Sequence, residues 1–194
     1  MNNFLKLTIA AFLVMPLFAC TAHTTGATEV GVRFNKITRA TEVAEPGATY
    51  FFMPIVNDWT TFDTSTQSLI MTAKPNEGDR GEKDDLRFKT RDGNDIETDV
   101  TIRWRIDPSR AVMIWSLVAP TTQSIKDRIV RANARAYVRD VLNRLDSEEY
   151  YNPDLRFAAA RDATTVLANE MKPYGIVVEQ VISATLRSSP TISD

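Results

Sequence analysis

Asp95–Ile106 reads D-I-E-T-D-V-T-I-R-W-R-I. The even positions are Ile96, Thr98, Val100, Ile102, Trp104 and Ile106, apolar except for Thr98. The odd positions, Asp95, Glu97, Asp99, Thr101, Arg103 and Arg105, are all polar. Successive side chains of a strand point to opposite faces, so this alternation predicts a strand with one face in a core and one in water. A helix would scatter the same apolar residues around its axis. The polar row runs from acidic at Asp95 to basic at Arg105, which suits a solvated face, with pairing to neighbouring strands or to another copy as the alternative. Asp92-Gly93, just before the strand, accepts the positive φ of a tight hairpin turn. Asp92, Asp95 and Asp99 lack the alternate-position ligands and terminal Glu of a calcium loop.

Outward from this strand, Glu29–Ile37 (E-V-G-V-R-F-N-K-I) alternates again, and Glu45-Pro46-Gly47 is a turn. Ala48–Met53 and Trp59–Asp63 read as aromatic strands, and Gln67–Thr72 as a further one. Tyr50-Phe51-Phe52-Met53 reads as a core strand, contact with a lipid surface being the alternative. Ala73–Arg87 (A-K-P-N-E-G-D-R-G-E-K-D-D-L-R) has almost nothing to bury and reads as a loop. Its carboxylates Glu77, Asp79, Glu82, Asp84 and Asp85 alternate with cations, as at a solvated hairpin tip. Asp107-Pro108 starts a short helix that Pro120 ends. A long helix follows from Thr121 or Thr122 to Leu145. Its apolar side is Val130, Ala134, Tyr137/Val138, Val141 and Leu145, and its other side is basic: Lys126, Arg131, Arg135, Arg139. Asn152-Pro153 caps a third helix, with Leu155, Ala159, Ala163, Val166/Leu167 and Met171 along one side. Ile176–Leu186 is the closing strand.

Three of these segments resemble one family. The central T-R-D-G-N-D-I-E-T-D-V-T-I-R-W-R-I, the stretch E-P-G-A-T-Y-F-F-M-P-I-V-N-D-W-T-T-F-D, and the helix–turn–helix ending in G-I-V-V-E-Q-V are similar to the stomatin, prohibitin and flotillin (SPFH, or Band 7) domain. Ser65 stands where members commonly carry Arg. The resemblance spans about Glu29–Arg187. It implies an α+β fold: a mostly antiparallel sheet with two longer helices packed on it. Many relatives continue into a long Ala/Glu-rich helix that builds cages. This chain stops at Asp194, so oligomers are expected to form through the domain itself.

The first residues read differently. Lys6 and an apolar run, Leu7–Phe18, precede Leu17-Phe18-Ala19-Cys20. A basic start, a short apolar core and a small residue before the cut read as an export signal. The run is shorter than the ~20 residues that span a bilayer. With Cys20 it resembles a bacterial lipoprotein signal, Phe18 departing from the usual small residue, and Cys20 is the expected lipid attachment site. Thr21 in place of Asp favours the outer membrane over the inner. The expected organisation is a signal peptide (1–19), a lipidated tether (20–28), the SPFH-like domain (29–187) and a short tail (188–194).

The 194 residues carry a formal net charge of −2, with 43% hydrophobic and 25% charged residues. That is ordinary globular composition. The basic residues are scattered, which argues against a nucleic-acid surface. His23, the one histidine, falls in the expected tether, and Cys20 is the one cysteine, so neither a nucleophile–base pair nor an internal disulfide is expected. There is no P-loop, no G-x-G-x-x-G, no H-E-x-x-H and no C-x-x-C. No cofactor, metal or catalytic residue is expected. The expected function is a non-catalytic, membrane-anchored scaffold on the periplasmic side that self-associates or binds membrane partners. The alternatives are a regulator of a membrane-bound protease complex, as prohibitin-like relatives are, and a periplasmic small-ligand binder.

Overall fold

The computed structural model describes residues 20–188, the last five as backbone alone. The expected signal peptide and residues 189–194 lie outside the described residues. The chain divides into two compact units, Met1–Thr64 and Ser65–Asp194.

The first unit contains β1 (Thr21–Thr24), β2 (Glu29–Asn35), β3 (Thr41–Ala44), β4 (Thr49–Phe52) and β5 (Asn57–Asp63). β1 pairs antiparallel with β4, and β2 is the middle strand of a second sheet, between β3 and β5. The expected tether is therefore folded in part. Its first residues are a strand, and the next, Thr25, is buried. The Thr25 hydroxyl donates to the Glu45 carbonyl at 2.6 Å and accepts from the Ala48 N–H at 3.1 Å. Small polar residues gave no periodic signal, but such residues satisfy backbone groups at a strand's edge as readily as they solvate a linker.

The second unit is organised on β8, Asp95–Ile106, with the bounds the alternation predicts. All six even-numbered side chains are buried. β6 (Gln67–Met71) and β7 (Leu86–Lys89) pair with successive parts of one edge of β8, and β9 (Ile176–Ser188) pairs along the other, all antiparallel. Thr98 interrupts the apolar row because a second hydroxyl faces it. Its Oγ1 lies 3.1 Å from Ser183 Oγ, which in turn lies 3.2 Å from the Tyr150 hydroxyl. The three form a sealed polar knot in the core. Three charges of the odd row are ion-paired within the chain. Asp95 meets Lys89 at 2.9 Å, Glu97 meets Lys83 at 2.7 Å, and Arg105 meets Glu179 at 3.4 Å.

Four helices follow β8: α1 (residues 108–118), α2 (residues 122–142), α3 (Ser147–Tyr151) and α4 (Pro153–Met171). Their starts are capped as the sequence signals. Asp107 accepts from the Ser109 N–H at 3.0 Å, Thr121 from Ser124 at 3.2 Å, and Asn152 from Asp154 at 3.0 Å. Asp146 and Glu149 form a reciprocal capping box on α3, the segment read as a turn between the long helices. The turns of α2 widen over Ile125–Val130 and Ala134–Val138. The extra residue in the first accounts for the five-residue step from buried Ile125 to buried Val130. α4 buries Ala159, Ala160, Ala163, Leu167 and Met171, while Leu155, expected on that side, is exposed. The Thr164 hydroxyl accepts the Val181 N–H at 2.9 Å, so α4 satisfies part of the outer edge of β9.

Candidate functional site

The first unit presents an apolar tip. Alternation along β4 buries Phe52 and turns Phe51 and Met53 outward. The turn after β4 carries Ile55, and the turn between β2 and β3 carries Ile37. These two turns meet at one end of the unit, where the Lys36 N–H donates to the Val56 carbonyl at 2.8 Å and the Val56 N–H to Met53 at 3.1 Å. Ile37 is 75% exposed and Ile55 81%. Lys36 and Arg39 belong to the same turn as Ile37, and Lys36 is bridged to Asp58 at 2.8 Å. The expectation that Tyr50–Met53 is a core strand therefore holds for one face only.

Cys20 is exposed. In the β1–β4 register Thr21 faces Phe52. Continued by one residue, that register sets Cys20 level with Met53. Cys20 thus stands at the apolar tip, joined to β1 without an intervening linker.

The tip stands on an aromatic cluster. His23 is stacked on Phe52 with ring centroids 4.2 Å apart, and Trp59 lies 5.6 Å from His23 and 5.4 Å from Phe52. Arg33 sits over Phe52, 5.7 Å from the ring centroid, and is ion-paired with Glu42. His23 is therefore oriented, by Phe52 and by Thr21 Oγ1 at 2.8 Å, where the sequence reading expected no partner. Its neighbours are the Phe52 and Trp59 rings and the Thr21 hydroxyl. Trp59 fits because Gly31 lies beneath it: a Cβ at residue 31 would fall 2.3 Å from the Trp59 ring.

In the second unit the departures from expectation concern charge. Asp84 and Asp85 are buried, not solvated. Asp84 accepts from both Arg131 and Arg135, and Arg131, assigned to the wet side of α2, is 2% exposed. Burial holds the Arg131 guanidinium below its usual pKa, and Arg80 and Arg135 add to the effect. Asp79 pairs with Lys126 and accepts the Ile70 N–H. The sequence signal for these positions was a run of five acids in a loop and four cations along one side of a helix, which reads equally as solvent-facing charge.

An open groove of about 750 Å³ is lined by Arg87, Lys89, Asp95, Tyr137, Arg139 and Asn143, among others. A bond to Glu170 raises the Tyr137 hydroxyl above its usual value, the wrong direction for a phenolate base. Among the described residues no three His, Cys, Asp or Glu side chains converge as a metal site, and no helix is long and apolar enough to cross a membrane.

Residues 23–192 match the SPFH domain / Band 7 family. The chain belongs to that family. The match starts inside β1, so the family's domain takes in His23–Thr28, which the sequence reading assigned to a tether. No curated protein matches the chain. SPFH/Band 7 proteins are commonly membrane-associated scaffolds, are generally non-catalytic, and typically oligomerise. The antiparallel sheets and packed helices agree with the α+β fold the resemblance implies.

Proposed function

We propose that this SPFH protein is a non-catalytic scaffold, anchored to a membrane on the periplasmic side of a bacterial envelope by an acylated Cys20. The observation that carries the reading is the placement of Cys20 level with Met53, at the same tip as exposed Ile37 and Ile55. Water-facing aliphatic side chains clustered at one end of a unit signal an interaction surface. An acyl chain at that tip would bring the same residues to the bilayer interface. A single chain binds reversibly, whereas two signals together hold stably. The acyl group and the tip would supply both signals, with Lys36 and Arg39 placed to meet anionic headgroups. Because β1 begins at Thr21, the domain would sit directly on the membrane and not on a flexible stalk.

The test is intact mass with membrane fractionation of the wild type, Cys20→Ala, and an Ile37→Ser/Ile55→Ser double variant. The expected wild type carries acyl mass and floats with one membrane, the outer by the Thr21 criterion. Cys20→Ala becomes largely soluble, and the tip variant keeps its acyl mass but washes off more readily. An unmodified Cys20 on a protein free in solution would overturn the anchor. Full retention of the tip variant through those washes would remove the tip from it.

A further inference from the structure

The segment that joins β6 to β7 lies across a sheet edge. No apolar side chain in residues 73–83 is buried. Its ends are tied to β8, Ala73 N–H to Asp99 at 2.9 Å and Lys83 to Glu97 at 2.7 Å, and two carboxylates of its own fix it to β6 and α2. The outer is Asp79, whose Oδ2 accepts the Ile70 N–H at 2.6 Å and whose own N–H donates to the Ile70 carbonyl at 3.1 Å. Its other carboxylate oxygen takes the Lys126 ammonium. The inner is Asp84, buried against Arg131 and Arg135, with its N–H on the Thr72 carbonyl at 2.8 Å.

Ile70 lies on β6, whose other edge pairs with β8. In an antiparallel strand both backbone groups of alternate residues turn to the same edge. Ile70 turns outward to Asp79, so Leu69 and Met71 turn inward to β8. Asp79 thus does for Ile70 what one residue of a further strand would do. An unguarded edge is a template for pairing with another chain. Gly78 permits the close approach, because a Cβ at residue 78 would fall 2.9 Å from the Ile70 carbonyl oxygen and 2.8 Å from Thr72 Cγ2.

We propose that residues 73–83 are a hinged guard over the outer edge of β6, with the Asp79–Ile70–Lys126 clasp as its latch and the Asp84–Arg131–Arg135 cluster, built on the buried Asp84–Arg131 pair, as its hinge. The two clasps differ in what their loss entails. At the hinge Asp84 and Arg131 are sealed from water while Arg135 reaches the surface, so opening it would strand the Arg131 charge in the interior. The latch is only part-buried, with the Lys126 and Asp79 side chains 17% and 15% exposed, so each can reach water when the strap lifts. The strap therefore opens at Asp79 first, baring the Ile70 N–H and C=O while Asp84 stays in place.

Amide hydrogen exchange on the full chain tests this, with Asp79→Ala and, independently, Gly78→Val. The first removes the carboxylate; the second pushes the strap off Ile70 with the carboxylate intact. The expected result in both is an Ile70 amide that exchanges at least about tenfold faster, as in a local opening, while Leu69 and Met71 keep wild-type protection. Unchanged Ile70 protection in both variants would overturn the latch. Equal acceleration of all three amides would overturn the guard, since the strap would then open only with the sheet beneath it.

Discussion

At the tip of the first unit aliphatic side chains face water, whereas beneath the strap of the second a carboxylate and a guanidinium are sealed from it. Each arrangement is unfavourable alone, and the difference lies in where the compensation comes from. Asp84 finds its partners inside the chain, in Arg131 and Arg135. Ile37 and Ile55 find none among the described residues of their own unit beyond the turns that carry them. Buried charge therefore marks internal architecture here, and exposed apolar surface is what the proposed membrane contact would cover. The sharpest way to break this contrast is to treat both regions alike. Asp84→Ala leaves Arg131 buried with Asp127, at 3.1 Å, as its ion-pair partner among the described residues. It is expected to cost about 3–5 kcal/mol, read as a lowered denaturant midpoint. Ile37→Ser/Ile55→Ser is expected to shift stability by no more than about 0.5 kcal/mol per site, since neither side chain packs into a core. If the two variants lose equal stability, the tip is part of the packing and the contrast fails.

The next effect sharpens the description of the tip's support. Gly31→Ala places a methyl against the Trp59 ring. Trp59 would have to leave its place beside Phe52 and His23, or the sheet would have to shift. The expected loss is about 1–3 kcal/mol, with a change in tryptophan fluorescence. Loss of stability with unchanged fluorescence would mean that the backbone gives way instead of the ring.

How far the sequence could be read follows the same division. β8 was legible to the residue because period two over that length admits one structure, and Thr98, its exception, became intelligible once Ser183 and Tyr150 were seen to face it. The helix starts at Asp107, Thr121 and Asn152 were legible because capping is local chemistry. The strap was not. Asp79 and Asp84 are single residues in a polar run, and their partners Lys126, Arg131 and Arg135 lie over forty residues away. No local signal separates a carboxylate that meets a distant guanidinium from one that meets water. β1 was missed because Thr21–Thr24 has no apolar row, and its pairing depends on β4 being beside it. Cys20 was legible as a candidate from its leader, but its position level with Met53 required the register.

Smaller effects distinguish the polar groups that hold the second unit from those that only decorate it. Tyr150→Phe removes one hydroxyl from the buried knot with Ser183 and Thr98. Ser183 retains Thr98 as a partner, so the expected cost is about 1 kcal/mol, from equilibrium unfolding. A much larger loss would mean that the three hydroxyls act cooperatively.

The smallest expected effect is one of pH, at the exposed turn between β7 and β8. Asp92 is held down to about 2 by hydrogen bonding, first to Thr90 and then to the Ser147 side chain and backbone at the start of α3. Ser147 donates to it through N–H at 3.1 Å and through its hydroxyl at 3.0 Å. The folded state thus prefers the carboxylate more than the unfolded chain does. Such a group contributes stability that is full above the unfolded value, near 3.8, and is lost as pH falls towards 2. Asp92→Asn gives up that contribution at every pH. The gap in denaturant midpoint between the two proteins should therefore be widest at pH 5 and close progressively between about pH 4 and pH 2. Asp92 is exposed, so solvent screens the interaction and the gap is small. A gap that stays constant across that window would show that Asp92 acts through turn geometry, which an amide can reproduce only in part, and not through its charge.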